Sequence, residues 1–451
     1  MTDAPHWTLR LNELAERSDV PGAVLGIWAD GEEILACSGV LSAATGVETT
    51  PCSLFQVGSI TKLWTATMIM QLIEEHRLSL DATVSDVLPG TRISAADIGG
   101  RVTIRHLLSH TSGLDGDLFT DTGRGDDCVR RYVDELATAA SVFPPGATYS
   151  YCNSGFVLAG RVIEALDGRP WEESLRDRLI GPLLLTSTVT LPEEAILHRA
   201  ATGHEHGDPV HIWGLPRSLG PAGTITGSAH DLLVFARLHL DGGLTAEGKR
   251  LLGPDTVATM QRRQAAIPLF TEQDASAGLG WRRSRWHGRL VIGHDGGTIG
   301  QTSFLRIVPD ARVAVCLLTN SYQGQVLYQN LFPEVFASFG ITMPPPPEPL
   351  GSGVPAADVT HLAGRYERTA RRYDISVAGG TLRATAMTTS SLAALTGPRP
   401  DEVALLPADD TGRNFLCRSR ETEPWMPASF GELGDGTRYL FASGRIAPRI
   451  G

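Results

Sequence analysis

Residues 57–64 read VGSITKLW, in which Ser59 follows a glycine turn and Lys62 opens an apolar run. Apolar residues recur at helical spacing as far as about His76, which predicts that Ser59 lies at a helix N-terminus. Residues at i and i+3 share one face of a helix, so the two polar side chains would lie together. A serine becomes nucleophilic when a neighbour takes its proton, and the positive end of a helix favours an alkoxide and an uncharged lysine. The stretch therefore predicts either a nucleophile with its base or an ordinary helix start with a surface lysine.

The scarcity of lysine favours the first interpretation. Of the 39 Lys and Arg residues, only Lys62 and Lys249 are lysine. Arginine keeps its proton near neutral pH, whereas a buried lysine readily loses it. A lysine at position 62 therefore indicates a role that arginine cannot fill.

Composition limits the class of protein. The chain has 451 residues, of which 42% are hydrophobic and 20% charged, and this predicts a globular protein of two domains. Its net charge of −11 argues against nucleic acid as the main ligand. No apolar run reaches the ~18 residues of a membrane span, and the first twenty residues lack the pattern of a secretion signal. The six cysteines form no CxxC pair, so we expect unpaired thiols, a cytoplasmic location and no membrane partner.

The apolar segments predict the architecture of the first part of the chain. Residues 22–40 hold two apolar runs joined by Asp30-Gly31, a strong hairpin signal. Residues 289–319 predict two or three further strands. Helical patterns fill the middle, at 59–76, 102–112, 156–180 and 229–240. Strands at each end of a helical middle predict an antiparallel sheet built from both ends of this region, with helices packed on it.

A proline-rich segment separates this part from the rest. Residues 343–355 read MPPPPEPLGSGVP, which is typical of a stiff spacer with a flexible tail. Beyond it, short alternating segments separated by Gly and Pro predict a small all-β barrel or sandwich. We therefore expect a first domain at 1–343, a linker at 344–355 and a β domain at 356–451.

Two further motifs supply partners for the serine and the lysine. Residues 151–153 read YCN before an apolar helix, and residues 294–296 read HDG at the end of a predicted strand. The phenol of Tyr151 would serve as a general base if a cationic lysine lowered its pKa. Taken alone, the tyrosine motif is weak evidence, since a tyrosine also packs at many helix entries.

Together, the serine-lysine, YCN and HDG motifs resemble those of the serine β-lactamase and penicillin-binding-protein-like superfamily, class C branch. Segments 104–114, 151–160 and 278–281 are similar as well, and the resemblance spans residues 8–340. It implies an α/β (α+β) fold, in which a β-lactamase/transpeptidase-like antiparallel sheet carries helices and an all-α subdomain. The HDG motif departs from the Lys-Thr-Gly of many members, although His-x-Gly is found in class C-like esterases and peptidases.

The resemblance implies catalytic roles for Ser59, Lys62, Tyr151, Asn153 and His294. Asn153 would bind an amide of the substrate through its own amide. His294 would hydrogen-bond Tyr151 or steady the leaving group.

The resemblance also implies residues that bind substrate. Gly296 would let the substrate backbone approach the strand closely. A backbone N–H of Gly297 or Thr298, with that of the nucleophile, would form an oxyanion hole. Trp213 would line the cleft, because its segment leads into the wall of the superfamily's site. Arg445, near the end of the β domain, would reach peptide carbonyls or a carboxylate, and a solvated arginine is the alternative.

The histidines do not predict a metal site. His106 and His110 stand at i and i+4, but the glutamate of HExxH is missing. Residues 204–211 hold three histidines and a glutamate, and a solvated loop is the favoured interpretation. We expect neither a metal nor a cofactor.

The β domain and the missing export signal narrow the expected function. A class C-like domain followed by a lipocalin-like barrel resembles the penicillin-binding-protein-type thioesterases of nonribosomal peptide pathways. On this hypothesis Ser59 takes a peptidyl group from a thioester on a peptidyl carrier protein, and the peptide's own amine releases it as a macrolactam while water is excluded. The alternatives are a cytosolic esterase or D-amino-acid-selective peptidase that passes the acyl group to water, and a covalent sensor that does not turn over.

Overall fold

The computed structural model describes residues 3–351, 358–389, 400–421 and 423–450. The helices of this part of the chain are α1 (Ala4–Arg17), α2 (Thr61–Glu74), α3 (Val84–Val87), α4 (Ile104–Leu108), α5 (Cys128–Glu135), α6 (Asn153–Asp167), α7 (Trp171–Leu175), α8 (Pro192–Ala195), α9 (Gly220–Gly223), α10 (Ala229–Leu240), α11 (Pro254–Gln261) and α12 (Gly324–Ala337). The strands are β1 (Gly22–Ala29), β2 (Glu32–Gly39), β3 (Phe55–Gln56), β4 (Thr188–Val189), β5 (His204–Glu205), β6 (Asp208–Pro209), β7 (Thr226–Gly227), β8 (Ala265–Ala266), β9 (Gln273–Ala277), β10 (Arg282–Trp286), β11 (Arg289–Thr298), β12 (Gln301–Val308), β13 (Val313–Thr319), β14 (Gly364–Arg368), β15 (Arg371–Ala378), β16 (Thr381–Thr388), β17 (Pro400–Pro407), β18 (Asn414–Arg418), β19 (Met426–Glu432), β20 (Arg438–Ala442) and β21 (Arg445–Pro448).

The N-terminal hairpin forms where the sequence predicts it. β1 and β2 pair antiparallel up to the pair Ala29↔Glu32. The two turn residues have positive φ, 53° at Asp30 and 85° at Gly31. Such a turn matches the twist of the flanking strands, and Asp and Gly tolerate this backbone.

The central sheet joins strands from both ends of the first region. Its order is β2-β1-β13-β12-β11-β10-β9-β8, and β1 runs antiparallel to β13 from Ala23↔Thr319 to Trp28↔Ala314. The predicted antiparallel sheet, with three strands from residues 289–319, is confirmed.

Helices cover both faces of this sheet. One apolar core lies between the sheet and the pair α1 and α12. A larger core lies on the other face, where α2, α6 and α10 pack. In α2 every residue from Thr61 to Leu72 is buried, as expected for a helix surrounded by other elements, and Trp64 stacks on Phe235 at 4.1 Å. This packing holds α2 at the centre of the fold.

Two predicted helices are shorter or broken. The pattern at 102–112 forms only α4. The pattern at 156–180 is interrupted after α6, where Gly168 adopts a left-handed φ of 71° and Pro170 cannot continue the hydrogen-bond ladder. The chain then resumes as α7 and a π-helical turn, Arg176–Ile180. The helix predicted at 229–240 is confirmed as α10.

The β domain is a nearly closed barrel. β14 to β21 pair in sequence order, and the edge strands meet through a bridge between Tyr366 and Arg449. The N–H of Ile450 donates to the carbonyl of Arg365 at 2.8 Å beside that bridge. The interior is apolar and includes aromatic side chains such as Phe415 and Phe430. The barrel expected from the alternating segments is confirmed.

The barrel packs against the first region through a shared apolar cluster. Phe143, Tyr149 and Ile267 contribute from the first region, and Leu433, Phe441 and Ile446 from the barrel. Residues 344–350 of the predicted linker form neither helix nor strand, and 352–355 lie outside the described residues. The domain boundaries stay a prediction.

The six cysteines are all free thiols. Within the described ranges, the helices are too short or too polar to cross a bilayer.

Candidate active site

Ser59 lies in a 3₁₀ turn between β3 and α2, two residues before the α-helix begins. Gly58 has a φ of 53°, and a Cβ at this position would lie 2.7 Å from the backbone nitrogen of Gly297. Only glycine fits a position that is both left-handed and crowded. Ser303 on β12 donates to the carbonyl of Val57 at 2.8 Å. The turn that carries the predicted nucleophile is therefore fixed against the sheet.

Lys62 lies beside Ser59, as the spacing predicts. Its Nζ is 2.9 Å from the serine Oγ and donates to the carbonyl of Ala222 at 2.7 Å. The side chain has no exposed surface. Burial lowers the pKa of Lys62 well below its usual value, and the nearby Arg445 lowers it further. Burial therefore favours the uncharged amine, which is the form that can take the serine's proton.

Tyr151 completes this cluster, but in another protonation state than expected. The Nζ of Lys62 is 5.0 Å and the Cζ of Arg445 is 4.7 Å from the centre of its ring. Burial raises the pKa of the phenol, although the Ser59 hydroxyl opposes that effect. The expected lowering of this pKa by a cationic lysine is not found, so the phenol keeps its proton. It is therefore a proton donor rather than the first base.

His110 stacks against the ring of Tyr151. The two rings stack with centroids 4.3 Å apart, and the histidine Nδ1 accepts from the N–H of Cys152 at 3.0 Å. Burial lowers the pKa of His110 well below its usual value, and Lys62 lowers it further. The sequence did not indicate this contact between His110 and the tyrosine.

Asn153 donates a hydrogen bond to the carboxylate of Asp117, which no motif in the sequence indicated. Its Nδ2 donates to Oδ1 of Asp117 at 2.8 Å. The same carboxylate contacts Nε of Arg445 and Nη1 of Arg368, each at 2.5 Å. The donor side of the Asn153 amide is therefore engaged within the protein, and its predicted contact with substrate stays a proposal. No motif marked Asp117 or Arg368.

Backbone hydrogen bonds place Arg445 in the site. The N–H of Tyr151 donates to the carbonyl of Gly444 at 2.9 Å, and the N–H of Ile446 donates to Oγ of Ser150 at 3.1 Å. These bonds flank Arg445 on the barrel and join it to the segment that carries the tyrosine. The structure thus brings this predicted residue into the cluster.

His294 lies on β11 as a neutral imidazole. Its Nδ1 donates to the carbonyl of Asp295 at 2.6 Å, which leaves Nε2 as an acceptor. Burial, assisted by Lys62, lowers the pKa of His294 to about 4. Its ring centroid is 5.9 Å from that of Tyr151, and the described contacts include no hydrogen bond between the two side chains. The other predicted role, steadying the leaving group, stays a proposal.

The end of β11 runs beside the nucleophile turn. Gly296 pairs with Ser303 of β12, and a Cβ at position 296 would lie 2.0 Å from the carbonyl oxygen of Val57. Within the described residues, the buried Oγ1 of Thr298 has no hydrogen-bond partner. Gly297 adjoins the turn, as its distance from position 58 shows. The backbone N–H groups needed for an oxyanion hole are near the serine, and this role is part of our proposal.

Trp213 packs next to the strand that precedes the nucleophile. Its carbonyl accepts from the side chain of Gln56 in β3, and its Nε1 donates to the carbonyl of Ala201 at 2.9 Å. These bonds fix the tryptophan close to the turn, and contact with substrate stays a proposal.

Two of the histidines considered as metal ligands, His106 and His204, have structural partners. His106 accepts from the N–H of Thr103 and caps α4. The buried His204 accepts from the N–H of Ala43 and contacts the carbonyl of Asn320. In the parts of the chain that the structure describes, His, Cys, Asp and Glu form no group of three suited to a metal ion.

The chain is similar to known proteins over most of its length. The Beta-lactamase family profile matches residues 10–336. The chain is 42% identical over 378 residues to "Penicillin-binding protein 4" of Amycolatopsis lactamdurans, covering 81% of this chain and 98% of that one. That relative therefore spans most of the first region and part of the barrel.

Two solved structures extend the comparison. The structure described as SurE with D-Leu has a TM-score of 0.77 and 28% identity, and the match covers 99% of both chains. A D-stereospecific amidohydrolase from Streptomyces sp. has a TM-score of 0.59 and 28% identity, over 73% of this chain and 99% of that one. The first similarity includes the barrel, and the second leaves about a quarter of this chain unmatched.

Proposed function

Because the chain belongs to the β-lactamase and penicillin-binding-protein superfamily, and so to the acyl-serine hydrolases and transferases, we propose that it is a peptide cyclase. It takes a nonribosomal peptidyl chain from a carrier-protein thioester onto Ser59 and releases it by head-to-tail macrolactamisation. One observation carries this proposal. The barrel places Arg445 in the catalytic cluster, 4.7 Å from the centre of the Tyr151 ring.

The first step forms the acyl-serine. The uncharged Lys62 takes the proton of Ser59, and Oγ attacks the thioester carbonyl. The backbone N–H groups of Ser59 and of Gly297 or Thr298 receive the developing oxyanion. As the C–S bond breaks, the phenol of Tyr151 gives its proton to the sulfur and regains one from the protonated lysine. The carrier leaves as a free thiol.

The second step releases the product. The N-terminal amine of the same peptide attacks the ester, and a C–N bond replaces the C–O bond to Ser59. Lys62, through the phenol of Tyr151, takes the amine's proton and returns one to the serine oxygen. The product is a macrolactam, and the enzyme is restored.

The barrel supplies what distinguishes cyclisation from hydrolysis. Water competes for the same ester, so a cyclase must cover the site and hold the peptide folded back. On this proposal the guanidinium of Arg445 donates to peptide carbonyls at the acyl end, and Trp213 and Gly296 contact the acyl chain. His294 Nε2 is an acceptor beside the reacting centre.

The similar structures suggest a preference for a D-residue at the acyl end. The SurE structure is described with D-Leu, and the amidohydrolase is described as D-stereospecific. We therefore propose a peptide whose C-terminal residue is D. A peptidyl carrier protein is the proposed partner and the cytoplasm the proposed compartment, in keeping with six free thiols.

A D-amino-acid-selective hydrolase is the second candidate. The Streptomyces protein is described as an amidohydrolase, and it matches 73% of this chain at 28% identity. The two candidates share the acyl-serine and differ only in what attacks it.

A peptidyl thioester of N-acetylcysteamine tests the proposal. The substrate carries a free N-terminus and either a D- or an L-residue at its C-terminus, and products are identified by mass. We expect a cyclic product, lighter than the linear acid by one water, formed faster from the D-substrate.

Two variants accompany this assay. Ser59→Ala should abolish turnover, because no other group replaces the nucleophile, whereas Ser79→Ala, an exposed serine, should retain it. Linear acid as the sole product would favour the hydrolase, and a permanent adduct would favour a sensor. Turnover by Ser59→Ala would contradict the acyl-serine assignment.

A further inference from the structure

A buried cluster of charged side chains joins the barrel to the active site. Asp117 is the centre of it, with only 5% of its side chain exposed. Arg368 at the end of β14 contacts Oδ2 through Nη1 at 2.5 Å. Arg445 at the start of β21 contacts the same oxygen through Nε at 2.5 Å, and Oδ1 through Nη2 at 3.0 Å. Two barrel strands thus deliver one guanidinium each to a carboxylate of the first region.

The two arginines keep this carboxylate ionised. Burial alone would raise the pKa of Asp117, but Arg445 and Arg368 outweigh it and hold the pKa below its usual value. Arg368 is itself buried, with 8% of its side chain exposed, and among the described residues its guanidinium contacts Asp117 rather than the reacting groups. Its charge is therefore directed at Asp117 rather than at solvent or substrate.

The charge on Asp117 acts on Lys62. Several titratable or charged groups besides Ser59 face Lys62. They are His110 and Asp117 in the loop after α4, Tyr151 and Cys152 before α6, His294 on β11 and Arg445 on β21. The phenol, thiol and imidazoles are uncharged near neutral pH, which leaves Arg445 and Asp117 as the charged neighbours. Burial lowers the pKa of Lys62 first, Arg445 lowers it further, and Asp117 raises it.

We propose that Arg368 is a positioning residue that neutralises Asp117, so that this carboxylate can orient Asn153 and Arg445 without making Lys62 hold a proton. The barrel then completes the electrostatic environment of the base, in addition to covering the cleft. This inference rests on the proposed function only in taking Lys62 as the base for Ser59.

Covalent labelling of Ser59 by a fluorophosphonate measures the base directly. The serine Oγ–P bond forms, the P–F bond breaks with release of fluoride, and Lys62 accepts the serine's proton. The labelling rate is followed by intact mass across pH for the full chain, for Arg368→Gln and for Arg365→Gln. Arg365 is a matched control, since it is an exposed arginine of the same strand that pairs with Asp374 at 2.7 Å.

Removing Arg368 leaves Asp117 with one guanidinium, so Lys62 should keep its proton to higher pH. We expect the midpoint of the rising limb of the pH profile to move up by about one unit in Arg368→Gln, and to stay unchanged in Arg365→Gln. Arg368→Lys keeps the positive charge, so its midpoint should lie close to that of the wild-type chain. Arg368→Gln combined with Asp117→Asn removes one charge of each sign and should move the midpoint back down.

A uniform loss of rate in Arg368→Gln, with the midpoint unchanged, would show a purely structural contact and overturn the inference. The inference would also be overturned if the double variant, Arg368→Gln with Asp117→Asn, had the same midpoint as Arg368→Gln alone. Labelling needs only a reactive serine. A chain that turned out to hydrolyse its thioester would therefore contradict the proposed cyclisation and leave this inference standing.

Discussion

Lys62 is fully buried and lies 2.9 Å from the serine it serves. In the unfolded chain its amine would be protonated below about pH 10, whereas in the folded protein burial favours the uncharged form. Folding therefore costs free energy at neutral pH, because burial disfavours the protonated amine that the unfolded chain carries. The enzyme gives up stability in order to keep a base at this position.

Lys62→Met should separate these two roles. We expect labelling of the serine to fall to background, and the free energy of unfolding at neutral pH to rise by about 1 kcal/mol. The stability difference should shrink as pH rises toward the ordinary pKa of lysine, because the wild-type cost disappears there. Urea unfolding at several pH values measures it.

Lys249→Met serves as the control, since Lys249 is exposed and should change neither quantity. If Lys62→Met were less stable at every pH, the hydrogen bond to Ala222 would outweigh the cost of deprotonation.

The reacting side chains could be predicted because they occur in short motifs. Ser59 and Lys62 lie three residues apart at a helix start, and Tyr151 and Asn153 are separated by one residue. Asp117 and Arg368 could not be predicted, because their contact joins positions 251 residues apart and neither belongs to a motif. The protonation states of Lys62 and Tyr151 depend on burial, which only the folded packing determines.

At the scale of elements, the turn before α2 depends on the absence of a side chain at position 58. Gly58 and Gly31 both have positive φ, but a Cβ at position 31 would meet nothing within 4 Å. A side chain at position 31 would therefore cause backbone strain only, whereas one at position 58 would cause both strain and a steric clash.

Gly58→Ala should cost more than the ~1–2 kcal/mol of a left-handed alanine, because its Cβ would also press on Gly297. We expect labelling to slow at least about tenfold, since a displaced nucleophile loses its alignment. Gly31→Ala should show the strain alone, with normal labelling. Equal effects of the two changes on stability and labelling would contradict the role of crowding.

Elements whose turn or helix signals lie within their own sequence could be predicted, whereas elements whose form depends on packing against other segments could not. The Asp30-Gly31 hairpin and α10 carry their own turn and helix signals. The break after α6 depends on Gly168 and Pro170, within a pattern that otherwise continues as a helix. A 3₁₀ turn stands at Ser59 where the pattern predicts a helical turn, and there Gly58 lies against Gly297 at the end of β11.

For the whole molecule, the docking of the barrel decides whether the site is complete. Apart from the charged cluster, the two parts meet through an apolar core that includes Tyr149 and Phe441, whose rings are 6.4 Å apart. Phe441 is fully buried. The sequence indicated that Arg445 would reach the cleft, but it did not predict which residues of the first region the barrel packs against, because docking depends on surfaces assembled from distant segments.

Phe441→Ala should loosen this docking. We expect a loss of about 3–5 kcal/mol of stability, a slower labelling rate, and faster protease cleavage in the segment 344–351. Phe415→Ala, in the barrel interior, should cost a similar amount and leave labelling of the remaining folded protein nearly unchanged. Equal labelling rates for the two variants would show that docking does not support the site.

An exposed lysine in the loop between α10 and α11, close to the C-terminal end of α2, gives the protein a site for chemical attachment. Lys249 lines an open groove with Gln71 and Glu74, and a helix that rises 1.5 Å per residue separates this groove from the serine by about 20 Å. Lys62 is buried and out of reach of amine-reactive reagents. A dye or a solid support attached through a lysine should therefore join the chain at the side chain of Lys249, at a distance from the reacting serine.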